Sequence, residues 1–285
     1  MQWWCSALGE AWEWTWRPYP GVWAFLALIL AAYILVLRGT PAAATEARDR
    51  GTRAAVFGAA VAALWLVLDW PVGALGAGYL ASAHMVQFLV IVLVAPPLLL
   101  YGVPAQAYRR LPPRVIAVLR PITHPLVALI LSNLLAFATH LPLVADRLLA
   151  SQLGSFAIDV AWLAAGLLFW WPVAAPVPER PWFRGLSRIG YLGAQLIASK
   201  PLFIYLTFTT YPRYATYELA PRVLGITARA DQQAAGLMME IGGMLILLAA
   251  AGILLLRSTA GEEALDGTRP PGPATDPRPS ARRAP

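Results

Sequence analysis

The sequence has a single cysteine, Cys5, so no intrachain disulfide and no paired-cysteine metal or redox motif can form. Charge is also scarce: Asp, Glu, Lys and Arg make up 13% of the 285 residues, against 59% hydrophobic residues. That balance lies far from the composition of a soluble domain. No HExxH, GxSxG, Walker or GxGxxG pattern occurs in a suitable setting, which leaves an intramembrane protease, a hydrolase or a nucleotide-driven pump without visible machinery. The chain is therefore read as non-enzymatic. The net charge of +7 does not form one basic face, because the arginines fall in loops between apolar runs. This excludes nucleic acid as a partner and makes the bases markers of topology.

What the sequence has in abundance is long apolar runs. A spanning helix needs roughly 20 mostly apolar residues, and such runs place helices at 21–38, 54–70, 79–101, 125–142, 156–174, 189–210 and 233–256. The fold class is thus all-α, a polytopic bundle of about seven transmembrane helices in a lipid bilayer. Residues 1–20 form a Trp-rich interfacial segment with Trp3, Trp4, Trp12, Trp14 and Trp16, since tryptophan favours the head-group region. Residues 21–256 are the membrane domain, and the Pro, Ala and Arg-rich stretch 257–285 is an expected disordered tail. Glu10 and Glu13 precede the first apolar run and Arg17 is the only base there, unlike a signal peptide; although Ala42 to Ala44 imitate a cleavage site, retention of the first helix is expected.

Lys and Arg are retained on the cytoplasmic side of short loops. Arg38, Arg48, Arg50 and Arg53 in the first loop, Arg109, Arg110, Arg114 and Arg120 in the third, and Arg180, Arg184 and Arg188 in the fifth mark those loops as inside. Arg257 and further bases do the same for the tail. Arg213, Arg222 and Arg229 in the sixth loop weaken the contrast. The expected orientation has the amino terminus outside and the carboxyl tail in the cytoplasm.

Ionisable residues inside spans are functional candidates. His84, His140, Asp159, Asp69 and Asp231, with Met238 and Met239, all fall toward the outer ends of five different helices. Imidazole and thioether suit copper, and thioether favours Cu(I). Met85, Met238, Met239 and Met244 also suit plain helix packing, and an intramembrane His can simply bond to backbone. Lys200 and Glu240 lie deeper in the sixth and seventh spans and are expected to pair with each other or with Asp159. His124, before Pro125, reads as a helix-start residue. Pro96 and Pro97 should kink the third helix.

Several segments then resemble one family. Trp70-Pro71-Val72-Gly73-Ala74-Leu75-Gly76, Tyr79-Leu80 and His84-Met85-Val86-Gln87 resemble the CtaG family of bacterial cytochrome c oxidase assembly proteins. Ala95-Pro96-Pro97-Leu98-Leu99 with Gly102-Val103-Pro104, His140-Leu141-Pro142, Leu168-Phe169-Trp170-Trp171-Pro172-Val173 and Asp231-Gln232-Gln233 with Gly236, Leu237 and Met238 continue the match in family order over about 70 to 258. The chain departs from the family pattern in places: Phe88 stands where a second histidine would share a face with His84, Phe156 and Asp159 stand where histidines open the fifth helix, and Glu240 stands where an aromatic is expected.

The resemblance implies a multi-pass protein of the bacterial plasma (inner) membrane that serves oxidase assembly, with cytochrome c oxidase subunits and a copper donor protein as partners. The combined expectation is delivery of Cu(I), through a site drawn from His84, Met85, His140, Met238, Met239, Asp231, Asp159 and Asp69, toward the haem–copper centre. Two alternatives stay open: a small-solute or proton transporter using Lys200, Glu240 and Asp159, and a metal-free assembly scaffold.

Overall fold

A computed structural model of the chain describes residues 2–40, 47–175, 183–223 and 225–266, without the side chains of 47, 48 and 258–266. Ala42 to Ala44, Arg180 and the tail beyond Asp266 lie outside the described residues.

Proline sets many of the helix boundaries. Helix α1 (Pro20–Gly39) begins on a proline, whose missing N–H is harmless in a first turn. After α2 (Ala47–Leu68) comes the short α3 (Val72–Gly78). Then α4 (Ala81–Leu89), a π-helical turn at Val90–Val94 and α5 (Ala95–Gly102) form one span of 22 residues. The π turn is the response to Pro96 and Pro97. Neither can donate to the carbonyl four residues earlier, so the ladder widens by one residue and the Ala95 N–H reaches back to the Val90 carbonyl. The expected kink is therefore met by a π turn.

Helix α6 (Ala105–Arg109) is short, and α7 (Pro113–Ile122), α8 (Pro125–His140) and α9 (Pro142–Leu149) each start on proline. A bend of 73° separates α7 from α8. Next come α10 (Gln152–Ala174), capped by Ser151 Oγ accepting from the Gly154 N–H at 3.1 Å, and α11 (Leu186–Ala198). Helix α12 (Lys200–Phe208) continues the α11 span after a break at Pro201, which cannot donate to the Ile197 carbonyl. The one-turn α13 (Ala215–Glu218) precedes α14 (Ala228–Asp266).

Among the described residues six helical segments are long and apolar enough to cross a membrane, and seven if the bent α7–α8 pair counts as one. The chain is thus an all-helical multi-pass membrane protein. Two expectations shift. Helix α14 runs on to Asp266 instead of stopping near Leu256, in keeping with the helix propensity of Glu262, Glu263, Ala264 and Leu265. The amino-terminal segment only partly stays at the surface: Trp14 and Trp16 are exposed, but Trp4 is fully buried and Cys5 donates from Sγ to the Leu68 carbonyl at 3.4 Å.

The α4–α5 rod is the centre of the bundle. In its most apolar window 61% of residues are buried, against 17% for α1 and α14, whose Leu28, Leu35 and Leu248 face outward as lipid-contacting side chains do. Helix α2 packs on α5, α10 on α8 and the π turn, and α14 on α4 and α12. Gly166 lets α10 approach closely, since a Cβ there would sit 2.5 Å from Pro96 Cγ and 2.6 Å from the Val92 carbonyl oxygen.

Candidate metal centre

Two histidines from distant helices meet at the end of the bundle that carries the amino-terminal segment. His84 is in the first turns of α4 and His140 is the last residue of α8; both are buried, with ring centres 6.4 Å apart. Trp162 of α10 lies against both, 4.6 Å from His84 and stacked on His140 at 5.6 Å. Its indole N–H is fixed by donation to Thr139 Oγ1 at 2.9 Å. Phe88, one turn below His84, meets His140 edge-on at 4.8 Å.

The His-x-Pro step explains how His140 is held. Pro142 opens α9 and ends α8, leaving the His140 carbonyl outside any helix ladder; Tyr214 donates its hydroxyl to it at 2.7 Å. On the ring, Nδ1 lies 2.7 Å from the Ala136 carbonyl oxygen, a contact that requires Nδ1 to carry the proton. Nε2 is left with its lone pair, buried and with no protein donor. A small cavity of about 20 Å³, lined by His84, Met85, His140, Tyr214, Tyr217 and Gln232, adjoins it.

The surrounding carboxylates are committed elsewhere. Asp231, in the first turn of α14, caps α4: it accepts from the Ala81 N–H at 2.5 Å, from the Ser82 N–H at 3.2 Å and from the Ser82 hydroxyl. Asp69 accepts from the indoles of Trp23 and Trp65 at 2.7 and 2.9 Å and from the Trp70 N–H at 2.8 Å. Asp159 accepts from Trp4 Nε1 at 2.8 Å. Each carboxylate has at least one donor within the fold.

Over residues 27–260 the chain matches the family described as cytochrome c oxidase caa3 assembly factor (Caa3_CtaG). The chain belongs to this family. No curated protein and no solved structure matches it.

In this caa3 assembly factor the structure brings together His84, Met85 and His140, three of the eight residues singled out in the sequence. Asp69, Asp159 and Asp231 serve as hydrogen-bond hubs. Met238 is 42% exposed, and the buried Met239 faces a different cavity. Among the described residues no three His, Cys, Asp or Glu side chains converge as metal ligands. Lys200 pairs with Glu240, as the sequence suggests, and Asp159 takes no part in that pair.

Sequence reasoning missed Asp146, Tyr214, Tyr217 and Trp162. Asp146 of α9 caps α13, accepting from the Ala215 and Thr216 N–H groups at 3.1 and 3.0 Å and the Thr216 hydroxyl at 2.8 Å. It thereby sets Tyr217, whose hydroxyl donates to the Gly76 carbonyl at 2.7 Å and whose ring centre lies 6.0 Å from that of His84. Burial, then Tyr214 and Asp231 nearby, holds the Tyr217 hydroxyl well above the ordinary tyrosine range; burial likewise raises Tyr214. The Ala-Asp-Arg run of α9 and the Tyr-Ala-Thr-Tyr run before α14 carried the signal, an acidic residue and a helix-start threonine, but nothing in the spacing joins them.

Proposed function

We propose that this assembly factor assists copper delivery to the oxidase, holding Cu(I) between His84 and His140 with Met85 alongside. The observation that carries the reading is the buried Nε2 of His140, whose tautomer presents a lone pair at a cavity that His84 and Met85 share. The donation of the opposite ring nitrogen to a backbone carbonyl is the arrangement that orients metal-binding histidines. The spacing agrees: with an imidazole nitrogen about 1.2 Å from its ring centre and metal–nitrogen bonds of about 2.0 Å, two histidines on one ion in line have centres about 6.4 Å apart. Imidazole and thioether together select Cu(I) over hard cations.

Two or three ligands leave the ion transferable to a site with more. Release to the oxidase subunits needs no covalent chemistry, and the ion is cargo received from a copper donor protein. In this reading the site faces the outer side of a bacterial inner membrane and the carboxyl terminus lies in the cytoplasm, an orientation that the arginines of the loops support. Replacing His84 or His140 with Ala is expected to lower the copper content and activity of the oxidase while the assembly factor persists in the membrane. Full oxidase activity in both variants overturns the reading and leaves a metal-free scaffold.

A further inference from the structure

A second cavity, of about 50 Å³, lies deeper in the same bundle. It sits one helical turn and more below the histidines along the same helix faces. Ala235 of α14 borders the outer cavity, and Met239, Gly243 and Leu247 border the inner one; on α8, His140 gives way to Ala136 and Ser132; on the central rod, His84 gives way to Phe88 and Val92. Phe88 forms the partition, touching His140 on one side and lining the inner cavity on the other.

The polar groups of the inner cavity are short of donors. Asn133 spends its amide hydrogens on the Leu129 carbonyl and on Gln195 Oε1, at 2.8 and 2.7 Å, and Gln195 returns one bond to Asn133 Oδ1 at 3.3 Å. Ser132 and Ser199 donate to the carbonyls of Leu129 and Leu196 at 3.1 and 3.2 Å. What remains unspent is mostly acceptor: the thioethers of Met239 and Met244, the serine lone pairs, and Oε2 of Glu240, which is buried and has no protein donor while Oε1 pairs with Lys200. Glu240 is the only acid in the lining. The thioether side chains of the buried Met239 and the partly exposed Met244 suit a soft monovalent cation, and the Glu240 carboxylate adds an acceptor of opposite charge.

We propose that the inner cavity is a second Cu(I) site, with Glu240, Met239 and Met244 as its ligands, one stage below the histidine site and separated from it by Phe88. The assignment of the ion rests on the copper reading of the outer cavity.

The test is anaerobic Cu(I) titration of the full detergent-purified chain against a chromophoric Cu(I) chelator, with helicity checked by circular dichroism. The native chain is expected to bind two equivalents. M239L/M244L, a nearly volume-conserving change, is expected to lose one, and H84A/H140A the other. E240Q is expected to lose the inner equivalent too; K200M/E240Q, which removes both charges together, guards against loss through an unpaired lysine. One equivalent that survives M239L/M244L and E240Q but not H84A/H140A overturns the inner site and leaves the outer reading standing. One equivalent with the opposite sensitivity supports the inner site and overturns the outer. No binding by the folded native chain overturns both, as do two equivalents indifferent to every variant.

Discussion

The carboxylate of Asp231 accepts the backbone N–H of Ala81 at 2.5 Å, so a residue at the start of the last helix caps the helix that carries His84. An oxygen acceptor at an N-terminus is worth about 0.5–2 kcal/mol, and here it also fixes the position of His84 relative to α14. Asp231→Ala is expected to destabilise the protein by about that amount and to weaken copper binding. Asp231→Asn, which keeps an oxygen acceptor, should recover most of the stability. Thermal unfolding in detergent, followed by circular dichroism, measures both.

Gly166→Ala tests the contact between α10 and the π turn. The added methyl would lie 2.5 Å from Pro96 Cγ and 2.6 Å from the Val92 carbonyl oxygen, neither of which is the end of a flexible side chain. Overpacking of this kind costs about 1–3 kcal/mol. The midpoint of unfolding should fall, whereas Gly193→Ala, with open space around its Cβ, should leave it in place.

Tyr217 predicts a response to alkali. Its hydroxyl donates to the Gly76 carbonyl and is held neutral by burial, so its folded pKa exceeds that of the unfolded chain. The stability it contributes is complete below the unfolded value of about 10 and is lost as pH rises toward the folded one. Tyr217→Phe is expected to cost about 1 kcal/mol at neutral pH through the lost hydrogen bond. It should also flatten the fall in stability above about pH 10. A fall of equal steepness in the variant counts against this role.

Most of the architecture was legible in the sequence because hydrophobic length is a strong local signal: six spans lie within a few residues of the expected positions. The turn at His140-Leu141-Pro142 was also readable, since proline acts on its own backbone. The site was only partly legible. A carboxylate near a helix end reads equally as a ligand or as an acceptor; the donors to Asp159 and Asp231 come from Trp4 and from Ala81 and Ser82, far away in the chain, and Trp23 joins the local donors Trp65 and Trp70 at Asp69. Met238 and Met239 are neighbours in sequence, yet one faces outward and the other lines the inner cavity, a difference set by the rotation of α14 against α4 and α12.

The charge pair in the spans gives a further prediction. Glu240 is mostly buried and Lys200 partly exposed, and either one alone leaves an unpaired charge in an apolar setting. Lys200→Met should destabilise the protein more than K200M/E240Q does. Equal losses in detergent unfolding would contradict a penalty for the unpaired Glu240 charge.

X-ray absorption at the copper edge of the Cu(I)-loaded protein reads the nitrogen atoms of His84 and His140 directly. Imidazole scattering is expected in the native chain and is expected to disappear in H84F/H140F at unchanged helicity. Cu(I) bound without any imidazole signature, or an identical spectrum in the variant, would contradict copper binding by the two histidines.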